Sequence, residues 1–197
     1  MANIVLIGTG GVRAPRQVEL AQALAKRGHR VRCINTTRSL AFLSTYFLKN
    51  PSKIFFFLKV MHSPLRELFC YFVEFTGAVS HVGTALWADI IVVAPATCNT
   101  IAKITTGITY NFALLVIRAF SRNRKVLIVP SMNPEMWADP ANQHNIQRLT
   151  ATEKYAFVGP VEGTAVSGDK GLGIMAPNLM VVTEIEHHLA AVRVLAS

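Results

Sequence analysis

Near-unbroken apolar runs recur along this chain at intervals that helices would fill, and this alternation is what most restricts its fold. Residues 3–8, 30–35, 88–94 and 125–130 read as strands, the last closed by Pro130, which cannot continue a ladder. Between them the spacing predicts an amphipathic helix over 17–27, stopped by Gly28, and further helices over 97–106 and 112–120. A short helix at 142–149, a short strand at 156–158 and a closing helix at 184–195 complete the pattern. Residues 40–80 are mixed and aromatic-rich, and are expected to be helical in pieces. Strands apolar on both sides and separated by helices mean a parallel sheet covered on both faces, an α/β architecture. With no internal repeat, low-complexity stretch or linker, one domain is expected.

Composition narrows the function. Of 197 residues, 51% are hydrophobic and 16% charged, which suits one sizeable core and not a disordered chain. So low a charged fraction also points to surface buried between copies of the chain. The formal charge of +9 is carried by scattered Lys and Arg, which fits a solvated basic surface better than one made for acidic partners or phosphates, and no nucleic-acid partner is expected. Cys33, Cys70 and Cys98 have no C-x-x-C spacing and argue for a reducing, cytoplasmic setting, against a disulfide framework or metal site. The apolar region 40–82 is broken by Lys49, Pro51, Lys53, Lys59, His62, Pro64, Arg66 and Glu67, short of the ~20 apolar residues a membrane span needs. No targeting segment is expected, because the N-terminus enters a strand at once.

In open parallel sheets ligands bind beyond the carboxyl ends of the strands. Four loops there are unusual: 8–15, 35–39, 95–100 and 130–137. The first opens Gly8-Thr9-Gly10-Gly11 but carries Arg13 where a dinucleotide fingerprint needs its third glycine. The second strand ends at Asn35-Thr36-Thr37, without the acidic residue that would hold a ribose hydroxyl. A glycine-rich turn opening a helix still suits one phosphate, and Thr9, Thr36, Thr37 and Ser39 add neutral donors. A mononucleotide such as FMN fits these residues better than NAD.

The third loop, Pro95-Ala96-Thr97-Cys98-Asn99-Thr100, is small and polar enough to meet the edge of a planar ring. Read alone, it is a helix entrance capped by Thr97 or Asn99. The fourth, Pro130-Ser131-Met132-Asn133-Pro134-Glu135-Met136-Trp137, sets a neutral amide among two thioethers and an indole. An asparagine there offers two N–H donors to a carboxylate without adding charge. His81, expected just before a helix that leads into the central strand, is the histidine best placed for proton transfer near neutrality. His187 and His188 fall on the terminal helix and are expected to be solvated.

Taken in chain order, these motifs resemble the homo-oligomeric flavin-containing cysteine decarboxylases. That family joins phosphopantothenoylcysteine decarboxylase of coenzyme A synthesis with the peptidyl-cysteine decarboxylases of ribosomal peptides. The resemblance runs from Gly8-Thr9-Gly10-Gly11 through His81 and Trp87-Ala88-Asp89, then Pro95–Thr100 and Pro130–Trp137, to Gly168-Asp169-Lys170-Gly171-Leu172-Gly173-Ile174-Met175. It implies a Rossmann-like, flavodoxin-like open sheet. It implies FMN held by Gly8, Thr9, Gly10, Gly11, Val12, Thr36, Thr37 and Ser39 at the phosphate, and by Pro95, Ala96, Thr97, Cys98, Asn99 and Asn111 around the ring. His81 would be the active-site histidine, and Asn133 would bind the substrate carboxylate beside Met132, Met136 and Trp137. Gly168, Asp169, Gly171 and Gly173 would belong to a flexible clamp over about 160–176 that closes on the substrate. FMN would sit at a subunit interface in a trimer, or in a dodecamer built of trimers.

The implied reaction oxidises the Cα–Cβ–S unit of a cysteine to a thioaldehyde, from which CO₂ leaves to give an enethiol. One residue departs from the coenzyme A branch. Its clamp reads Ala-Cys-Gly-Asp, and the cysteine is thought to protonate the enethiol; here Val166-Ser167-Gly168-Asp169 stands instead. A serine hydroxyl is far less acidic than a thiol and a poor donor for that step. Ser167 therefore favours a peptide substrate left as the enethiol, as in aminovinyl-cysteine formation, while the Gly168-Asp-x-Gly-x-Gly-x-Met pattern favours phosphopantothenoylcysteine. A non-catalytic flavin-binding regulatory subunit and a flavin prenyltransferase are the remaining alternatives. The prenyltransferase lacks the Pro-x-Met-Asn-x-x-Met signature found here, and His81 speaks against the regulator.

Overall fold

Side-chain alternation along the central strands divides the core into two layers. The computed structural model describes residues 1–53 and 80–195. β1 (Asn3–Gly8), β2 (Arg30–Asn35), β3 (Ile90–Ala96), β4 (Val126–Pro130) and β5 (Tyr155–Phe157) form one parallel sheet in the order β2-β1-β3-β4-β5. Ile4 and Leu6 of β1, Val92 of β3 and Leu127 and Val129 of β4 pack on one face with α1 (Arg16–Lys26) and α8 (Asn178–Leu195). Val5, Ile7, Ile91, Val93 and Ile128 pack on the other with α3 (Ser80–Trp87), α4 (Cys98–Thr106) and α5 (Phe112–Ala119). Each fully buried Leu or Ile in these layers contributes about 1.5–3 kcal/mol, so strands apolar on both sides are what hold helices on both sides. The expected Rossmann-like, flavodoxin-like sheet is the one observed.

Element ends differ from expectation where tertiary contacts outweigh local signals. β3 does not stop before Pro95 but runs through Ala96, with a register shift against β4 between Val93 and Ala96. The shift reverses the alternation: Ala94 packs in the first layer and Ala96 in the second. The last helix starts at Asn178, six residues before the expected 184, because Val181 and Val182 are drawn into the core. The expected helix at 142–149 is α7 (Pro140–Thr150), entered through Asp139 as cap and Pro140 in its first turn. Ahead of it lies α6 (Pro134–Ala138), not foreseen, capped by Asn133. α2 (Thr37–Lys49) starts directly after Thr36 and buries Leu43, so Thr37 and Ser39 are helical and not in a loop. The rest of the expectation for 40–80 lies outside the described residues beyond Lys53.

The glycine-rich stretch expected as a flexible clamp is a two-stranded antiparallel hairpin of β6 (Val161–Thr164) and β7 (Lys170–Ile174). Its composition argues against a strand, since Gly weakens both backbone preference and side-chain packing. No helix of the described residues is long and apolar enough to cross a membrane.

Candidate cofactor and substrate site

The chain leaves β1 for β2 on one side and meets β3 on the other, which opens a crevice at the carboxyl edge of the sheet. Thr9 ties that edge together. Its N–H and hydroxyl both donate to the Pro95 carbonyl, at 3.2 and 2.8 Å, and its oxygen accepts the Thr97 N–H at 3.1 Å. A cavity of about 720 Å³ lies beside this bridge, lined by Thr9, Gly10, Thr36, Thr37, Thr97, Cys98, Asn99 and Asn111 of the expected cofactor set. Arg38, Lys103 and Tyr110 join them, as do the apolar Ala113, Leu114 and Ile117. Thr36 and Thr97 cap α2 and α4, accepting from Ser39 N and Thr100 N, so both helices begin at the cavity wall.

Several expected cofactor residues serve packing instead. Ser39 is fully buried and donates its hydroxyl to Asn35 Oδ1 at 2.9 Å, so it is not offered to a ligand. Gly8 faces inward, where a Cβ would fall 2.5 Å from Asn35 Oδ1 and Gln17 Oε1. Pro95 and Ala96 are buried within β3, and neither lines the cavity. Gly11 and Val12 line a second cavity of about 240 Å³, with Arg13, Ser131, Met132, Asn133, Ala165, Val166, Ser167 and Ile174.

This second cavity is where the 130–137 loop meets the hairpin. The Met132 N–H donates to the Gly173 carbonyl at 2.9 Å, and Gly171 lies so close to Pro134 that a Cβ would come within 3.0 Å of its ring. At the hairpin tip the Asn133 amide donates to Asp169 Oδ2 at 2.5 Å and to Ser167 Oγ at 3.0 Å. Ser167 donates to the same Asp169 oxygen at 2.7 Å. The Ser167 hydroxyl and then the Asn133 amide hold the Asp169 carboxyl below the usual carboxylate range, because both stabilise its charged form. Downstream, Arg16 donates to the Met175 carbonyl and Asn178 donates to the Arg16 carbonyl, each at 3.3 Å, anchoring the hairpin's exit to α1.

Other expected site residues are not gathered here. His81 lies inside the first turn of α3, not before it, and lines neither cavity. Met136 lines the larger cavity and not the smaller. Trp137 lines neither; its carbonyl accepts from Asn142 at 3.1 Å. His187 is exposed as expected, but the His188 side chain is only 18% exposed and sits 3.2 Å from Glu184. Glu184, His187 and His188 bring one ligand atom each within 4.8 Å of one another on α8. Arg38 and Lys103 were missed as cavity residues. Arg38 follows the threonines in the first turn of α2, and Lys103 lies one turn beyond Asn99 on α4, so helical spacing alone carried that signal. The 2.9 Å bond from Lys103 to the Tyr110 hydroxyl carried none.

Known proteins are similar to this chain in sequence and in fold. The bifunctional coenzyme A biosynthesis protein CoaBC of Bacillus subtilis is 30% identical over 188 residues, 95% of this chain and 43% of the relative. Mouse phosphopantothenoylcysteine decarboxylase is 36% identical over 108 residues, 55% of this chain and 52% of the relative. The chain therefore spans about half or less of the length of these two relatives. Among solved structures, a cysteine-to-serine mutant of PPC decarboxylase complexed with pantothenoylaminoethenethiol superposes with a TM-score of 0.76 at 23% identity, covering 94% of this chain and 96% of that one. The epidermin biosynthesis protein EpiD of Staphylococcus aureus gives 0.69 at 23% identity, covering 92% and 98%. A family model described as Flavoprotein matches residues 1–190, and the chain belongs to that family.

Proposed function

We propose that this chain binds FMN in the larger cavity and oxidatively decarboxylates the C-terminal cysteine of a peptide, releasing an enethiol. The observation that carries this reading is the meeting of Asn133 with the Ser167–Asp169 tip, beside a cavity of flavin size. About 720 Å³ lies within the roughly 300–1,000 Å³ of small-molecule sites. The donor set fits the cofactor: Thr36, Thr37 and Arg38 suit the phosphate, while Ala113, Leu114 and Ile117 offer an apolar wall to the ring. Asn99 and Asn111 would meet the ring's polar edge. Bound FMN supplies the two-electron oxidant for the cysteine Cα–Cβ–S unit.

The chain's own residues do the rest. Asn133 holds the substrate carboxylate by neutral N–H donors; an arginine would stabilise the carboxylate's charge in the ground state and oppose its passage into the Cα–Cβ–S unit as neutral CO₂ departs. The hairpin covers the carboxylate and limits water. Ser167 is a weak acid, so the product leaves as the enethiol; the PPC decarboxylase mutant with serine for cysteine, whose structure carries an aminoethenethiol, supports this step. His81 is the base for the substrate thiol. Because it lines neither cavity of a single chain, the reading includes a homo-oligomer, a trimer or a dodecamer of trimers, with FMN at the subunit interface.

A second reading has its own support. The sequence relatives above are coenzyme A biosynthesis proteins, which favours phosphopantothenoylcysteine as substrate. One experiment separates the two. The protein, yellow with FMN, converts a peptide ending in cysteine to a product lighter by CO₂ and two hydrogens, while Asn133→Ala and His81→Asn keep FMN and lose turnover. Phosphopantothenoylcysteine losing CO₂ alone, with the peptide untouched, sinks the first reading. Bound FMN with no turnover of either substrate indicates the non-catalytic subunit.

A further inference from the structure

The amide proposed to receive the substrate carboxylate already holds a carboxylate from its own chain. Asparagine has two N–H donors and one acceptor oxygen. Asn133 Nδ2 donates towards Asp169 Oδ2 at 2.5 Å and Ser167 Oγ at 3.0 Å, both on one side of the amide. Its Oδ1 accepts the Glu135 N–H at 2.8 Å. With Ser167 donating to the same Asp169 oxygen at 2.7 Å, the three side chains close a ring in which the Asp169 carboxylate occupies the donor side of the amide.

Resting on the decarboxylase reading above, we propose that Asp169 is a specificity-determining residue: a tethered stand-in for the substrate carboxylate that only an ionised carboxylate on the ligand displaces efficiently. The hairpin is built for such an exchange. Its base is fixed, with Gly173 bonded to Met132 and Gly171 against Pro134. Its tip is held by two backbone bonds, Ala165 N–H to the Asp169 carbonyl at 2.8 Å and Gly168 N–H to the Ala165 carbonyl at 3.0 Å. Gly168 at the turn has φ +94° and open space around it, and Val166 beside it is 73% exposed. The tip can therefore lift while the base stays seated. Replacing one carboxylate by another on the same amide returns a charge-assisted bond for the one broken. A ligand ending in a neutral amide returns only a neutral bond, so the displaced contact discriminates against it.

The test uses the FMN-loaded protein and two probe peptides ending in serine in place of cysteine, one a free acid and one amidated, titrated by calorimetry. Losing a charge-assisted hydrogen bond at this exposed tip is expected to let Asp169→Ala bind the free-acid peptide about 3- to 10-fold tighter than wild type. Preference for free acid over amide shrinks in parallel, and Asp169→Asn, which keeps the size and loses the charge, lies between. Weaker free-acid binding in Asp169→Ala overturns the proposal, since it would make Asp169 a direct ligand of the substrate. Hydrogen exchange of the Ala165 and Gly168 amides, measured without peptide, decides the contact independently: faster exchange in Asp169→Ala supports it and unchanged exchange overturns it. If neither peptide binds any form, the decarboxylase reading fails and the stand-in role fails with it; faster exchange then shows only that the internal contact is real.

Discussion

The N–H of Met132 donates to the carbonyl of Gly173 at 2.9 Å, and that one backbone bond seats a hairpin over a loop that leaves the central sheet. Gly173 is at φ +153°, and a Cβ there would lie 2.7 Å from the Met132 carbonyl oxygen. Glycine at this position is what lets the two backbones approach closely enough to bring Asn133 to Ser167 and Asp169.

Gly173→Ala is accordingly expected to lift the hairpin. The clash and the backbone conformation together cost about 1–3 kcal/mol, read as a lower thermal midpoint. FMN affinity stays unchanged because the larger cavity does not include Gly173. Binding of a cysteine-terminated peptide weakens. Unaltered peptide affinity would show that hairpin seating does not organise the carboxylate site.

Gly10→Ala probes the other end. Its Cβ would stand 2.5 Å from Arg38 Cβ and 3.3 Å from the Arg38 carbonyl carbon, so the first turn of α2 would have to move. A roughly tenfold loss of FMN affinity, about 1.4 kcal/mol, is expected by flavin fluorescence titration. Gly28→Ala, at φ +81° with nothing within 4 Å, serves as the control that strains the backbone away from the cavity. Equal FMN affinity in both variants would remove the Gly10–Arg38 approach from cofactor binding.

The cysteines give a chemical readout. Cys98 is partly exposed and lines the larger cavity, whereas Cys33 is fully buried and burial pushes its thiol far up. Only the thiolate is nucleophilic, so iodoacetamide should modify Cys98 in the native protein and spare Cys33. FMN should slow alkylation of Cys98, followed by peptide mapping. Alkylation at the same rate with and without FMN would place the flavin elsewhere.

Lys154 predicts a pH dependence of stability. Its ammonium donates to the Ile117 and Phe120 carbonyls at 2.8 Å each, at the end of α5. Burial, then Arg118 and Arg122, pushes its pKa down to about 8. The unfolded chain keeps that proton to about 10.4, so between these values the unfolded state binds more protons and this contribution to stability rises with pH. The urea midpoint of wild type relative to Lys154→Met should therefore increase from about pH 7.5 to about pH 9.5. A difference that stays flat or falls would contradict the assignment.

Legibility followed range of interaction. The strands of the parallel sheet and the helices between them were readable because apolar periodicity is local, and each of those five strands ends within two residues of its expected bounds. Thr36 and Thr97 were readable as polar groups at strand exits, and the structure sets both on the larger cavity. Ser39 has the same chemistry and was misread, since nothing local shows that its hydroxyl turns inward to Asn35. The hairpin was hidden behind its glycines, which weaken the strand signal that its pairing then overrides.

By itself the sequence determined the α/β class, the loops that carry chemistry and the neutral amide in one of them, because these rest on residue type and short spacing. Only the tertiary structure decided that Gly8 and Ser39 serve packing, that Arg38 and Lys103 share the larger cavity, and that Asn133 is held by Asp169. Those outcomes depend on which donor reaches which acceptor, and Asn133 and Asp169 are 36 residues apart along the chain. No periodicity encodes that distance. It exists only once the sheet has placed the 130–137 loop and Gly173 has let the hairpin settle against it.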